Sequence, residues 1–127
     1  MKGGVIMIKR VVVAGCRDYY DYEDASSFIE MCISNIRTKY KLIFVSGGCR
    51  GADPLGERFA KENGFSVEII AADWEKYGKR AGPIRNEQMA LIGDYIICFW
   101  DGKSKGTRSM IDSAEKIGKP LRIKMIH

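Results

Sequence analysis

Residues 46–53 bring glycine, arginine and aspartate together in the order Ser-Gly-Gly-Cys-Arg-Gly-Ala-Asp. This segment directly follows the apolar run 42–45 and precedes a helical pattern over residues 54–63. Glycine lets backbone N–H groups turn toward a ligand without an obstructing Cβ, and a helix N-terminus adds unpaired donors and a positive dipole end. Because this combination suits an anion, we predict that residues 46–53 form a phosphate-binding loop.

A second glycine-containing loop, residues 101–107, also lies between an apolar run and a helical pattern. Its Ser104, Gly106 and Thr107 are predicted to bind a second phosphate at the start of the next helix. Neither loop matches a known phosphate motif. The first lacks the G-x-x-x-x-G-K-[ST] pattern, and no G-x-G-x-x-G follows the first strand, so we disfavour a P-loop NTPase and a standard NAD dehydrogenase.

The elements that position these loops alternate along the chain. Apolar, β-branched runs predict strands at residues 8–14, 42–46, 67–71, 94–100 and 120–125. Helical spacing predicts helices at residues 24–38, 54–63 and 83–92, and a last one from the second loop to Gly118. Such alternation predicts an α/β fold, a Rossmann-like three-layer sandwich with a central, mostly parallel five-stranded sheet. The length favours a single domain over residues 1–127.

The stretch before the third predicted helix has the weakest pattern. Residues 73–82 show no clean period and are predicted to form a long exposed loop. Pro83 is predicted at the first position of the helix that follows. Ile84, Met89 and Ile92 are predicted on the buried side of that helix.

Polar residues follow each of the first four predicted strands. In an open parallel sheet a ligand binds at the carboxyl ends of the strands, where the strand order reverses, so these residues are expected to share one crevice. Glycines would allow close backbone approach, and arginines would add a charge-assisted grip on phosphate. The predicted ligand-binding residues are Gly15, Arg17, Ser46, Gly47, Gly48, Arg50, Gly51, Ala52, Asp53, Trp74, Arg85, Asn86, Ser104, Gly106 and Thr107.

Three of these residues have alternative roles. Asp53 would accept a hydrogen bond from a ribose hydroxyl, or it would cap the second helix, because Asp is a preferred N-cap. Trp74 would stack on a base or cover the edge of the core. Asn86 would cap its helix or bind a base edge, or it would lie in a solvated turn together with Arg85.

Composition and residue spacing argue against several classes of partner. The formal net charge is +5, but Lys and Arg are spread over the whole chain, so we disfavour nucleic acid as a partner. The four cysteines have no C-x-x-C spacing and the single histidine is His127, so we predict neither a metal nor a cofactor. No apolar stretch approaches the ~20 residues of a membrane span, and no signal peptide is evident. A cytoplasmic protein is expected.

The motifs taken in order resemble the YspA/YpsA-related family of the SLOG superfamily, small proteins of bacteria and phages. The motifs that carry the resemblance are residues 15–17, residues 46–53, Asp73-Trp74 with Tyr77-Gly78, residues 81–86 and residues 104–107. The resemblance covers nearly the whole chain. It implies a nucleotide-binding domain that senses or processes a nucleotide-derived ligand such as ADP-ribose. The superfamily includes LOG phosphoribohydrolases, which cleave the N-glycosidic bond of a nucleotide, and DNA-processing protein A, which loads recombinase onto single strands.

The chain departs from the P-G-G-x-G-T-x-x-E motif of the LOG enzymes. Its Gly106-Thr107 pair has no Glu three residues later. Hydrolysis of a glycosidic bond needs a carboxylate near the sugar, and the candidate catalytic residues are Asp53 and Glu57. Glu57 would instead pair with Lys61 at i,i+4.

Three hypotheses about function follow. Nucleotide binding is the first, LOG-type hydrolysis is the alternative, and a single-stranded nucleic-acid module ranks last. LOG relatives commonly pair subunits, so the resemblance also allows a homodimer.

Overall fold

A computed structural model describes residues 7–126, so residues 1–6 and His127 of the predicted domain lie outside the described residues. The described strands are β1 (Ile8–Gly15), β2 (Lys41–Ser46), β3 (Ser66–Ile69), β4 (Tyr95–Trp100) and β5 (Leu121–Met125). The helices are α1 (Tyr22–Ile33), α2 (Ala52–Glu62), α3 (Trp74–Tyr77), α4 (Ala81–Ile92) and α5 (Lys105–Ile117). A turn of 3-10 helix, Gly78–Arg80, joins α3 to α4. None of these helices is long and apolar enough to cross a membrane.

The five strands form one sheet in the order β3-β2-β1-β4-β5, and every neighbouring pair is parallel. The predicted Rossmann-like α/β fold is therefore confirmed. The chain builds the sheet outward from β1 to β3 and then crosses to the other side of β1 for β4 and β5. The strand order thus reverses between β1 and β4, which opens a crevice at their carboxyl ends.

The sheet is covered on both faces because successive side chains of a strand point to opposite sides. In β1, Val11 and Val13 pack with residues of α1 and α2, whereas Val12 and Ala14 pack with residues of α4 and α5. The continuous apolar run that predicted this strand is the expected pattern for a strand buried on both faces.

Helix α1 is shorter at its C-terminus than predicted. Asp21 is the N-cap and accepts a hydrogen bond from the N–H of Asp24 at 3.1 Å. The helix ends at Ile33 rather than at residue 38, and the N–H groups of Ile36 and Arg37 close the following turn on the carbonyl of Ile33. Ile36 still packs against the core from this turn, so the predicted apolar stripe extends beyond the helix.

The predicted loop at residues 73–82 is wrong, because most of it is helical. Asp73 accepts a hydrogen bond from the N–H of Lys76 at 3.1 Å and so caps the short helix α3. Helix α4 then begins at Ala81, which makes Pro83 its third residue instead of its first. Pro83 still lies in the first turn, where a missing N–H removes no helical hydrogen bond.

The inward side of α4 also differs from the prediction. Met89 is buried, but Ile84 is only half-buried and Ile92 is exposed. Arg85 and Asn86 are buried in their place, at 8% and 6% exposure. The first turns of α4 therefore direct polar side chains toward the carboxyl edge of the sheet.

Candidate functional site

A cavity of about 330 Å³ lies at the carboxyl edge of the sheet, where the strand order reverses. The predicted ligand-binding residues that line it are Gly15, Arg17, Arg50, Asp53, Arg85, Asn86, Ser104, Gly106 and Thr107. Further lining residues, which are not among the predicted ligand-binding residues, are Ala14, Cys16, Asp18, Cys49, Lys105, Met89 and Met110. Lys105 was detectable from the sequence, because it lies between two predicted residues of the second loop. The structure thus brings residues from four separate segments to one cavity.

The predicted residues Ser46, Gly47, Gly48, Gly51, Ala52 and Trp74 do not line this cavity. Gly51 has φ +84°, and a Cβ on it would lie 2.3 Å from the carbonyl oxygen of Cys16. The N–H of Ala52 donates to that same oxygen at 3.1 Å. Gly51 is therefore required for close packing of the β1–α1 segment against the start of α2.

The N–H groups of the first glycine loop are largely engaged within the protein. The N–H of Gly48 donates to Ser46 Oγ at 3.1 Å, and that of Cys49 donates to Asp53 Oδ2 at 3.2 Å. With the N–H of Ala52 also bonded, the loop offers a ligand fewer donors than its glycine content indicates.

Asp53 is a buried carboxyl group in the wall of the cavity, 4% exposed. Gly51 is the N-cap of α2, so the alternative in which Asp53 is the N-cap is wrong. Burial raises the pKa of Asp53 to about 6, although the Cys49 N–H and the positive charge of Arg85 oppose this change. The group is thus a strong hydrogen-bond acceptor that gives up its proton near neutral pH.

The N-terminus of α5 lies at the cavity without a capping side chain. Ser104 is the N-cap, but its hydroxyl contacts Asp101 Oδ2 at 3.1 Å and Cys16 Sγ at 3.2 Å instead of the helix. The first backbone bond of the helix is from the N–H of Arg108 to the carbonyl of Ser104. Within residues 7–126, the N–H groups of Lys105 and of the next two residues have no acceptor. The first turn of α5 contains no acidic residue.

Asp101 fixes the loop that leads into α5. Its Oδ1 accepts hydrogen bonds from the N–H groups of Lys103 and Ser104, each at 2.8 Å. These bonds lower the pKa of Asp101 to about 2, so the carboxylate stays ionised. The turn therefore holds the open helix end in place at neutral pH.

Arg85 and Asn86 make most of their hydrogen bonds to the protein. Arg85 Nη1 donates to the carbonyl of Gly47 at 2.7 Å, Nη2 lies 3.6 Å from Cys49 Sγ, and Nε donates to Asn86 Oδ1 at 3.0 Å. Asn86 Nδ2 lies 3.3 Å from both the carbonyl of Gly106 and Ser109 Oγ, and donates to them. Both residues line the cavity, but their polar atoms mainly connect protein segments.

The remaining cationic groups at the cavity are exposed. Arg17, Arg50 and Lys105 all line it with exposed side chains. These side chains give the cavity rim positive charge that a bound anion can reach. Within residues 7–126, no group of three His, Cys, Asp or Glu side chains is arranged to hold a metal ion.

Glu57, the second candidate catalytic carboxylate, does not line the cavity. Its Oε2 accepts a hydrogen bond from Ser46 Oγ at 2.7 Å. No ion pair with Lys61 is present among the described residues, so the predicted i,i+4 alternative is wrong. Glu57 therefore supports the end of β2.

The sheet of this protein is parallel, and its strand order reverses at a polar cavity. These two features define it as a Rossmann-like α/β protein. A model of the YspA, cpYpsA-related SLOG family (YAcAr) matches residues 9–77, more than half of the chain. The chain belongs to this family. It is also similar to the Gene 61 protein of Mycobacterium phage D29, with 36% identity over 121 residues that cover 90% of this chain and 94% of that protein.

Solved structures share the fold at lower identity. The X-ray structure of TM1055 has a TM-score of 0.63 and 21% identity, and the match covers 89% of this chain and 72% of that one. DNA processing protein A (DprA) from Streptococcus pneumoniae and DprA from Helicobacter pylori each have a TM-score of 0.68 and 18% identity. Each match covers 91% of this chain, but only 50% and 64% of the respective DprA chains.

Proposed function

We propose that the protein binds a nucleotide-derived small molecule, such as ADP-ribose, in the cavity at the β1–β4 reversal, as a sensor or a processing protein. The observation that carries this proposal is the presence of two unlike groups in one cavity. One is the first turn of α5, which offers N–H groups that are free within residues 7–126 and the side chain of Lys105, and the other is the buried carboxyl of Asp53. The volume of about 330 Å³ lies at the lower end of the ~300–1,000 Å³ range of small-molecule sites.

The phosphate is assigned to the first turn of α5. Within the described residues, the first three N–H groups of α5 have no acceptor. These groups, the positive end of the helix dipole and the ammonium of Lys105 all favour an anion there. The first glycine loop is a poorer phosphate site, because several of its N–H groups are engaged and the Asp53 carboxylate would repel a phosphate.

The ribose is assigned to Asp53. A carboxylate accepts hydrogen bonds and donates none once ionised, so it suits the hydroxyl groups of a sugar. Because Asp53 repels phosphate and α5 attracts it, the two groups together orient the ligand. This arrangement favours ribonucleotides over deoxyribonucleotides.

Calorimetry on the full chain tests the proposal with AMP, dAMP, ADP-ribose, NAD and a single-stranded oligonucleotide. We expect AMP or ADP-ribose to bind, and dAMP to bind about tenfold more weakly than AMP because one charge-assisted hydrogen bond is lost. The oligonucleotide is included because the H. pylori neighbour has a single-stranded DNA binding mode. Binding of the oligonucleotide alone would overturn the proposal in favour of a nucleic-acid module.

Lys105→Pro tests the phosphate assignment, with Lys105→Ala as the matched control. Both variants remove the ammonium, but only proline also removes a backbone N–H. Proline is tolerated at the first helical position, and Ser104 before it is not helical but has the extended ψ of 121° that a residue preceding proline requires. We expect AMP affinity to fall about threefold in Lys105→Ala and at least another threefold in Lys105→Pro. Equal affinities of the two variants would contradict an N–H contact at α5.

Hydrolysis of an N-glycosidic bond is the second candidate function, and the raised pKa of Asp53 favours it. A carboxyl group with a pKa of about 6 is partly protonated near neutral pH, as a general acid requires. Chromatography of a nucleotide incubated with the protein would then detect free base. We expect the release to disappear in Asp53→Asn at saturating nucleotide. If the wild-type protein binds the nucleotide and releases no base, hydrolysis of its N-glycosidic bond is rejected.

A further inference from the structure

Two neighbouring buried side chains connect two walls of the cavity, which are the β2–α2 loop and the first turns of α5. Arg85 reaches Gly47 and Cys49 in the β2–α2 loop, and Asn86 reaches Gly106 and Ser109 in α5. The bond from Arg85 Nε to Asn86 Oδ1 joins the two halves into one continuous chain of hydrogen bonds. We refer to these two residues as the brace.

The brace directs its hydrogen bonds mainly to the protein. Asn86 Nδ2 carries two N–H groups, and each has a protein acceptor at 3.3 Å. Its Oδ1 accepts from Arg85, and all three guanidinium nitrogens of Arg85 have partners within the protein. Donation from Asn86 Nδ2 to a ligand would require one of these two bonds to break, which leaves a protein acceptor without its partner.

We propose that Arg85 and Asn86 are positioning residues that hold the β2–α2 loop and the first turn of α5 at a fixed separation, so that one ligand contacts both. This proposal rests on the proposed function, in which the phosphate lies at α5 and the sugar at Asp53. Asp53 belongs to the wall that Arg85 holds, because its Oδ2 accepts from the N–H of Cys49. The brace sets the geometry of the site without touching the ligand.

Gly47 shows why the fit at this wall is tight. A Cβ on Gly47 would lie 2.8 Å from Arg85 Nη1 and 3.0 Å from Asp53 Oδ2. The guanidinium and the carboxylate thus pack against the same backbone position. A shift of Arg85 would therefore change the position of the loop that carries the Asp53 contact.

Asn86→Leu and Arg85→Lys test the brace in the full chain, with Ser109→Ala as the control. Leucine has a similar size to asparagine but no hydrogen-bonding group, and lysine keeps the charge of Arg85 but not its fork. Ser109→Ala removes one partner of Asn86 and leaves the connection between Arg85 and Gly106 intact. The probes are AMP, which spans both walls, and inorganic phosphate, which contacts α5 alone.

We expect each brace variant to raise the Kd of AMP about tenfold, and the double variant to be no worse than about twentyfold, because the two residues act in series. The Kd of phosphate should change less than about twofold, since the helix itself orients the N–H groups of α5. Ser109→Ala should leave both values unchanged within about twofold. Unchanged AMP binding in Asn86→Leu, or fully additive losses in the double variant, would overturn the proposal.

Amide hydrogen exchange separates the brace from the proposed function, because it needs no ligand. We expect Asn86→Leu to speed exchange of the Gly48 and Cys49 amides, which Asn86 does not contact. A direct ligand contact would leave these amides unchanged. Asn86→Asp, which retains an acceptor for Arg85, replaces the leucine variant if the latter does not fold. Faster exchange together with no nucleotide binding in the wild type would reject the proposed function and keep the structural connection, whereas unchanged exchange would reject the brace.

Discussion

Gly51→Ala is expected to destabilise the protein by about 4 kcal/mol, the largest effect of a single methyl group that the structure indicates. Gly51 has φ +84° and ψ −120°, a conformation that residues with a Cβ rarely adopt. The added Cβ would also lie 2.3 Å from the Cys16 oxygen and 2.5 Å from the carbonyl carbon of Arg17. Both contacts are with backbone, which cannot move aside as a flexible side chain does.

Gly64→Ala is the matched control for this prediction. Gly64 also has a positive φ, +76°, but no atom lies within 4 Å of its virtual Cβ. Only the backbone strain remains, so we expect a loss of about 1 kcal/mol. Urea denaturation of the wild type and both variants measures the difference. Equal losses in the two variants would show that the contact between Gly51 and the β1–α1 segment contributes little.

Asp53→Asn is expected to stabilise the protein at pH 7.5 by roughly 1–3 kcal/mol and to weaken binding of AMP about tenfold. The folded protein raises the pKa of Asp53 from 3.8 to about 6. Between these two values the folded state holds a proton that the unfolded state has lost. Ionisation of Asp53 therefore costs the folded protein stability as the pH rises through about 6. Asparagine has no charge to bury, and its oxygen still accepts from the N–H of Cys49.

The pH dependence provides the check. The stabilisation by Asp53→Asn should be present at pH 7.5 and should shrink toward zero near pH 4, where the wild-type carboxyl is protonated in the folded state. Asp18→Asn is the control, since Asp18 also lines the cavity but is exposed. Thermal unfolding at both pH values measures the effect. A variant that is less stable than the wild type at pH 7.5 would show that the Asp53 carboxylate forms favourable contacts that exceed its desolvation cost.

The two properties of Asp53 belong together. A buried carboxyl with a raised pKa lowers the folding stability at neutral pH, and such residues are frequent at functional sites. If Asp53→Asn stabilises the protein and weakens AMP binding, the same burial accounts for both results. This pairing of outcomes is the strongest support that mutagenesis can give to the ribose assignment.

The predicted elements differ from the structure mainly at segments whose conformation depends on hydrogen bonds of polar side chains. The lack of an apolar period predicts a loop at residues 73–82, yet Asp73 caps α3 through a local hydrogen bond. The spacing of apolar residues predicts that Ile92 is buried, but Ile92 is exposed and α4 buries Arg85 and Asn86 instead. The spacing of apolar residues predicts the buried face of a helix only if that face is apolar, and the buried face of α4 also contains polar residues.

The sequence by itself determined the α/β class, the five strands of the parallel sheet and the family. These properties follow from local patterns, such as apolar runs, glycine turns and strand–helix alternation, because such patterns act over a few residues. Only the tertiary structure decided which polar group bonds to which. Arg85 donates to the carbonyl of Gly47, 38 residues away, and the Ser46 hydroxyl donates to Glu57, 11 residues away. Such partners are set by the packing of distant segments, and no local pattern encodes the distance between them.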